Sequence, residues 1–306
     1  MNNPVSDSKK SLRILNIYER INKGESLVKK DLADEFHVDE KTIQRDLDDI
    51  RIYLSKESNT LLEYNRSEKA YLLERDEREW FTNKEVMALC KILLESRAFN
   101  KEELDALIDK LLIQTNKKDR EKVEDLVKNE RYHYIPLKHG EYLMDRIWEI
   151  SNFINEKNII SFEYRRQDGR HKKRIVKPVA IMFSEFYFYL IAYFADDSKD
   201  FPAIFRLDRI TNLKKTGGNF SYDYDKRFED GKFRKRVQFM YSGKLKKITF
   251  EFSGRSLEAI LDRLPTAKII EEKEDCVVIQ AEGFGDGMEM WLRTQGENVR
   301  ILEIKG

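Results

Sequence analysis

The residues with the most distinctive chemistry lie between positions 159 and 214. Seven Lys or Arg residues stand between Arg165 and Lys177 against a single acid, Asp168, and the segment 186–194 is dense in aromatic residues. Cations bind phosphates and flat rings stack on bases, so this pairing is typical of sites for single-stranded nucleic acid. The alternative is a solvated hairpin surface whose charges only keep a sheet edge soluble.

The same region has the patterning of short β-strands. Apolar residues alternate with a polar one at 162–164, and the turn Gln167-Asp168-Gly169 predicts a β-hairpin. The partner strand would cover 174–179, with Pro178 near a sheet edge. The segment 186–194 predicts a central strand buried on much of both faces.

Four motifs occur in order along this region: Phe162-x-Tyr164, Arg174-x-Val176-x-Pro178, Phe188-Tyr189-Leu190 and Phe205-Arg206-Leu207-Asp208-Arg209-Ile210. Together they resemble the WYL domain, an Sm-like small β-barrel of bacterial transcription regulators. Phe188 stands where the family usually has Trp, which keeps an aromatic ring at that position. The resemblance implies that the basic and tyrosine positions of these motifs line an effector pocket.

We expect the effector to be anionic, either a nucleotide or a single-stranded nucleic acid. Strand alternation puts Tyr187 and Tyr189 on one face and Phe188 and Leu190 on the other. Arg206 and Arg209 cannot both point the same way on an ideal strand, so we expect one of them to pair with Asp208. The residues expected to bind the effector are Tyr164, Arg165, Arg174, Tyr189, Arg206 and Arg209.

The N-terminal part, residues 8–54, has the patterning of three helices. The first would cover 8–22, with Leu12, Leu15, Tyr18 and Ile21 forming its apolar stripe. The third would begin after the N-cap Asp39 and bury Ile43 and Leu47. His37 would occupy the left-handed position of the turn between the second and third helices.

The run Thr42-Ile43-Gln44-Arg45-Asp46-Leu47 resembles the recognition helix of DeoR-like winged helix-turn-helix domains. A recognition helix reads base edges in the major groove. A hairpin around 65–69 would form the wing. The residues expected to contact DNA are Lys41, Thr42, Gln44, Arg45, Arg66 and Lys69. The alternative is a protein-interaction module, because residues 1–73 contain 14 acids against 13 cations.

The remaining segments define the rest of the organisation. Four helices are predicted between 76 and 158, the last of them over 138–155, and they could present an apolar seam to a second subunit. After Gly217 and a basic connector, the pattern β-α-β-β-α-β predicts a ferredoxin-like fold. It resembles the C-terminal extension that follows many WYL domains. The run Gly283-x-Gly285-x-Gly287 is most simply the turn into the second helix of that fold.

The expected fold class is therefore α+β and multidomain. It has a winged helix-turn-helix over 1–75, a helical linker or dimerisation region over 76–140, an Sm-like WYL barrel over 141–216 and a ferredoxin-like domain over 217–306. We expect no metal site, because the four histidines show no ligand spacing with cysteines or paired carboxylates. Cys90 and Cys276 are expected to be buried free thiols.

No catalytic motif occurs, so we expect neither an enzyme nor a cofactor. With a formal net charge of +1, any nucleic-acid site must be a local patch. No apolar run has the length of a membrane span and the N-terminus lacks a signal-peptide core, so a cytoplasmic location is expected.

The predicted function is a homodimeric bacterial transcription regulator whose binding to double-stranded operator DNA is gated by an effector in the barrel. One alternative is a nucleic-acid-binding module for RNA or damaged or single-stranded DNA, without a promoter role. A protein-interaction adaptor is the other; it would show no salt-dependent binding of nucleic acid.

Overall fold

The computed structural model describes residues 4–22, 24–57, 61–74, 81–115, 117–221 and 228–306. They divide into two compact units, Met1–Pro136 and Leu137–Gly306. The fold of the described residues is mixed α+β, with ten α-helices and antiparallel sheets. The four-domain division stays a prediction; its boundary at 75 and 76, and the first residues of the basic connector, lie outside the described residues.

Three helices and a hairpin form the first part of the N-terminal unit. They are α1 (Pro4–Asn22), α2 (Lys29–Phe36), α3 (Glu40–Glu57), β1 (Leu61–Asn65) and β2 (Ala70–Glu74). The Asp39 carboxylate caps α3 by accepting a hydrogen bond from the Thr42 amide at 2.6 Å. His37 has φ 51°, which confirms the left-handed turn between α2 and α3. Ile43 and Leu47 are fully buried, as predicted.

The apolar stripe predicted for the first helix is wrong at two positions. Leu12 and Leu15 are exposed, whereas Ile17 and Ile21 are fully buried. The helix carries apolar residues on more than one side, and its contact with α3 selects the side that contains the isoleucines. Helical spacing alone does not distinguish between two such stripes.

Three further helices complete the N-terminal unit: α4 (Asn83–Ser96), α5 (Lys101–Ile113) and α6 (Lys117–Tyr132). Thr82 and Glu85 form a capping box at the start of α4, and Asn100 caps α5. Their apolar residues form one core that includes Cys90, whose thiol has its pKa raised by burial. Cys276 is a free thiol that is only half-buried, so the prediction of full burial is wrong there.

The helix predicted over 138–155 is shorter than expected. Helix α7 (Met144–Asn155) begins after a turn in which Gly140 has φ +65°. The His139 ring accepts a hydrogen bond from the Glu141 amide at 3.0 Å, which stabilises the non-helical path. Residues 137–143, the strap before α7, are therefore a turn followed by a loop rather than a helix.

A five-stranded antiparallel sheet follows α7. It comprises β3 (Asn158–Arg165), β4 (His171–Ser184), β5 (Tyr187–Phe194), β6 (Ala203–Arg206) and β7 (Ile210–Asn219) in the order β6-β5-β4-β3-β7. Pro178 lies in β4, an interior strand, so its predicted place near an edge is wrong. A register shift between Pro178 and Ala180 accommodates the missing backbone donor. The core of this sheet includes Ile150 of α7 and Phe162 of β3.

The C-terminal part begins with α8 (Asp230–Arg236). It continues with β8 (Leu245–Phe252), α9 (Leu257–Arg263), β9 (Lys268–Glu272), β10 (Val277–Phe284), α10 (Gly287–Thr294) and β11 (Val299–Lys305). The four strands form a sheet in the order β11-β8-β10-β9 with all neighbours antiparallel. A second apolar cluster joins Ile191 of β5 to Phe233 of α8 and Phe284 of β10.

Within the described ranges no helix is long and apolar enough to cross a membrane. The same residues contain no group of three or more His, Cys, Asp or Glu side chains that could hold a metal ion.

Candidate functional site

A cleft of about 540 Å³ opens at the end of the five-stranded sheet. Four cations line it: Arg166, Arg174, Lys199 and Arg209. The only acid among its lining residues in the described part of the chain is Asp168, whose carboxylate lies 3.8 Å from the Arg166 side chain. The cleft therefore carries a surplus of positive charge, and a bound anion would lower the repulsion among these side chains.

Arg174 is a half-buried cation of the cleft. Its guanidinium lies 5.5 Å from the centre of the Phe194 ring, and its buried Nε has no hydrogen-bond partner among the described residues. Burial lowers the pKa of Arg174, and the like charge of Arg166 lowers it further. A buried donor without an acceptor costs free energy, which an incoming anion would recover.

Aromatic rings form the apolar wall of the cleft. Tyr164, Phe194 and Phe205 line it, and the ring centres of Tyr164 and Phe205 are 5.1 Å apart in an edge-to-face arrangement. The Lys199 ammonium lies 5.9 Å from the centre of the Phe194 ring. Cations and rings therefore share one hollow, the combination that binds phosphates and bases together.

The structure brings three of the six residues predicted for the effector into this cleft: Tyr164, Arg174 and Arg209. Arg165 is exposed and does not line it. Tyr189 and Arg206 lie outside the cleft as well: Tyr189 packs against the apolar cluster of β5 and α8, and Arg206 contacts Asp208 and Tyr187. The effector role of all six stays a prediction.

Arg206 forms a buried ion pair with Asp208, which confirms the prediction that one of the two arginines pairs with this acid. Its Nε and Nη2 lie 3.0 and 2.8 Å from the two carboxylate oxygens. The guanidinium also stacks on Tyr187, 3.4 Å from the ring centre. Burial lowers the pKa of Arg206, but the hydrogen bonds and charge of Asp208 outweigh this effect and raise it.

The two arginines point apart because β6 ends at Arg206 and a single 3₁₀ turn covers Leu207–Arg209. Side chains of the motif 205–210 therefore lie in two separate parts of the domain. Phe205 and Arg209 line the cleft, whereas Arg206 stacks on Tyr187, whose ring centre lies 6.4 Å from that of His139 in the strap before α7. Arg146 of α7 donates a hydrogen bond to the Leu207 carbonyl at 2.9 Å.

Tyr189 packs against the cluster of β5 and α8 rather than in the cleft. Burial raises the pKa of Tyr189 to about 12. Because the folded pKa lies above the ordinary value of about 10, the stabilising effect of the protonated form is complete below pH 10. It is lost as the pH rises towards 12.

We therefore expect the urea midpoint of the wild type to fall between pH 9 and pH 11.5, and to fall less in Tyr189→Phe. The variant removes the ionisable hydroxyl group but keeps the buried ring. The difference between the two proteins therefore isolates the ionisation of Tyr189 from that of the other tyrosines. Equal pH dependence in both proteins would show that Tyr189 ionises freely.

Several residues that line the cleft were not among those predicted from the sequence. Lys199 lies in the loop between β5 and β6, where no motif marks it, and Phe194 is the last residue of β5. Arg166 was visible only as one of seven cations. Ser242, which also lines the cleft, is more than thirty residues beyond the motifs in the sequence.

The residues predicted to contact DNA lie on α3 and in the turn between β1 and β2. Lys41 and Arg45 are exposed and Thr42 is half-buried beside its cap. Arg66 and Lys69 are exposed in the turn between β1 and β2. The Asn65 carboxamide oxygen accepts hydrogen bonds from the amides of Ser67 and Glu68, which fixes the shape of this turn.

Gln44 is tied inside the protein, in contrast to Arg45. Its carbonyl oxygen accepts hydrogen bonds from the Tyr71 hydroxyl at 2.9 Å and from the Lys29 ammonium at 3.3 Å. Its amide donates to Asp48 at 3.1 Å. These bonds join α3 to α2 and β2, and base reading by Gln44 would require them to break.

A family model described as the WYL domain matches residues 147–215. The sheet that holds the cleft therefore belongs to a WYL domain, which confirms the family predicted for this region.

Two solved structures are similar to the chain. One is the proteasome accessory factor B/C (PafBC) of Arthrobacter aurescens, with 15% identity and a TM-score of 0.30 over 97% of this chain and 44% of that one. The other is a CRISPR Cas-related protein, with 15% identity and a TM-score of 0.36 over 65% of this chain and 59% of that one. The chain thus spans less than two thirds of the length of either structure. The curated proteins give no match.

Proposed function

We propose that this protein is a bacterial transcription regulator that binds operator DNA through residues 1–75 and an anionic effector in its WYL domain. The observation that carries the proposal is the cleft itself. It combines four cations, three aromatic rings and a buried guanidinium nitrogen that has no acceptor among the described residues. A nucleotide or a single-stranded nucleic acid offers both the negative oxygens and the flat rings that such a cleft would bind.

The proposal includes the finer fold assignments. A short α2, a left-handed turn at His37, the longer α3 and a hairpin support a DeoR-like winged helix-turn-helix. The five-stranded antiparallel sheet supports an Sm-like barrel over 141–216. The connection order β-α-β-β-α-β with the strand order β11-β8-β10-β9 supports a ferredoxin-like C-terminal extension over 217–306.

On DNA, we assign different roles to neighbouring residues of α3. Arg45 is exposed near the start of the helix and has the donors that recognise guanine in the major groove. Lys41, Thr42, Arg66 and Lys69 suit phosphate contacts. Gln44 positions α3 through its bonds to Tyr71 and Lys29.

The effect of a bound effector on DNA binding would pass through the motif 205–210 at the end of β6. Its residues alternate between the cleft, at Phe205 and Arg209, and the strap before α7, at Arg206. A ligand that moves Arg209 would therefore also bias the strap that leads towards the DNA-binding residues. Allostery in this sense requires the effector to prefer one of two arrangements. In the proposed homodimer the helical region over 76–140 would pair two DNA readers, and the proposal includes no catalytic step.

We expect Arg45→Ala to weaken binding to a selected operator by about 1–3 kcal/mol, or roughly 5- to 150-fold, because it removes a base-reading side chain. The operator would be obtained by selection of duplexes from a random library with the wild-type protein. Fluorescence anisotropy then measures the affinity of each variant for the selected and for a scrambled duplex.

Lys56→Ala is the matched control, because it removes an exposed cation from the last turn of the same helix. It should leave the preference for the selected duplex unchanged. If the wild type enriches no duplex, or if Arg45→Ala retains full preference, the regulator proposal is wrong. Binding of single strands alone would then favour the nucleic-acid module without a promoter role.

A further inference from the structure

The segment between α8 and β8 contains a strained turn. Phe239 and Met240 both have left-handed backbones, with φ of 49° and 53°. Two consecutive non-glycine residues in this conformation cost free energy and persist only where the surroundings hold them. The side chain of Gln238 supplies part of that support, because it is buried and donates a hydrogen bond to the Arg263 carbonyl at 3.1 Å.

The glycines of the turn into α10 hold the same segment from the other side. A Cβ on Gly287 would lie 1.9 Å from the Gln238 carbonyl oxygen, and a Cβ on Gly285 would lie 2.7 Å from that of Ser242. The Gly285 amide also donates a hydrogen bond to the Lys244 carbonyl at 3.0 Å. Backbone therefore packs directly on backbone here, and only glycine permits this approach.

A third glycine contributes from within the segment. A Cβ on Gly243 would lie 2.8 Å from the Gly285 Cα. The residue just before it, Ser242, lines the cationic cleft together with Tyr164, Arg174 and Arg209. The glycine contacts thus hold the backbone of a serine that lines the cleft from outside the residues matched to the WYL domain.

We propose that Ser242 is a ligand-binding residue of the cleft, and that Gly243, Gly285 and Gly287 act as positioning residues for it. A serine hydroxyl donates a hydrogen bond to a phosphate oxygen, and it does so without adding charge. The C-terminal part of the chain then completes the binding site rather than only covering the sheet. This inference rests on the proposed anion site. It adds one ligand contact, from Ser242, and assigns that contact to the C-terminal part of the chain.

The test uses the full chain and a 5′-fluorescein-labelled oligothymidylate, with binding followed by anisotropy. Ser242→Ala should weaken binding by about three- to tenfold, the effect of one lost hydrogen bond. Ser242→Thr keeps the hydroxyl and should bind close to the wild-type level. Ser242→Asp places a carboxylate among the cations and should weaken binding by more than about tenfold.

The positioning role is tested by Gly285→Ala against Gly231→Ala. Gly231 lies in α8 with nothing within 4 Å of an added Cβ, so its substitution should leave binding unchanged. Gly285→Ala should weaken binding as much as Ser242→Ala does, while hydrogen exchange in β3 and β4 stays as in the wild type. Wild-type binding by Gly285→Ala would overturn the positioning role.

Failure of this inference and failure of the proposed function give different results. If Arg174→Glu abolishes binding but Ser242→Ala and Ser242→Asp both bind like the wild type, the Ser242 inference is wrong and the anion site stands. If Arg174→Glu itself binds like the wild type, the cleft is not the ligand site and both are wrong.

Discussion

Arg174→Glu is expected to weaken binding of a labelled oligothymidylate by at least about hundredfold. The substitution removes a charge-assisted hydrogen bond, worth about 1.5–3 kcal/mol. It also places a carboxylate where the ligand's own negative charge would lie, beside Phe194 and the cations of the cleft. The Arg174 Nε is buried and has no partner among the described residues, so an anion there would supply the missing acceptor. Anisotropy titrations at two salt concentrations measure the effect.

Arg170→Glu is the matched control, because it changes the net charge by the same amount in the same hairpin. The Arg170 side chain is 82% exposed and does not line the cleft. Solvent and salt screen a charge at that position, so the loss should stay within about threefold at physiological ionic strength. Equal losses in the two variants would mean that the basic hairpin binds nucleic acid as a diffuse surface, with no specific site in the cleft.

Arg13→Met is expected to destabilise the packing of α1 on α3 by about 3–5 kcal/mol. Arg13 and Asp46 form an ion pair at 2.5 Å between these helices, and their side chains are only 12% and 1% exposed. Removal of the guanidinium leaves the Asp46 carboxylate buried and unpaired, with its second oxygen already lacking a hydrogen bond in the described structure. Hydrogen-exchange mass spectrometry of peptides from 40–57 reports the free energy of local opening.

Two further variants separate the buried charge from other effects of the substitution. Lys10→Met removes the cation of an exposed pair with Asp49 between the same helices, and it should cost less than about 1 kcal/mol. The double variant Arg13→Met/Asp46→Leu replaces both charges by apolar groups and should recover most of the lost stability. If the double variant is as unstable as Arg13→Met, the uncompensated carboxylate is not the cause.

This pair also assigns a structural role to part of the recognition-helix motif. In Thr42-Ile43-Gln44-Arg45-Asp46-Leu47, Ile43 and Leu47 belong to the core and Asp46 to the buried ion pair. Gln44 is bonded to neighbouring elements. Arg45 is the exposed member of the motif, and base reading is the role proposed for it. Most of the motif thus holds the helix in place.

The local elements could be predicted from the amino-acid sequence, because their causes are local. The cap at Asp39, the capping box at Thr82 and the left-handed turn at His37 each depend on a few neighbouring residues. The order of strands and helices after 245 followed from alternating and helical periods in the same way. The run of cations beside an aromatic strand likewise indicated the chemistry of the site.

Which of those cations share a cleft could not be predicted in this way, because it depends on the packing of the folded chain. Arg174 and Arg209 meet Lys199 because β4, the end of β6 and the β5–β6 loop converge at one end of the sheet. Arg206 leaves this group because a 3₁₀ turn and the charge of Asp208 direct it elsewhere. Ser242 also lines the cleft, and close contacts between Gly243 and Gly285 connect its segment to a distant part of the chain. Side-chain periodicity reports the two faces of a strand, but the sharing of a cleft depends on packing between strands and loops that lie far apart in the sequence.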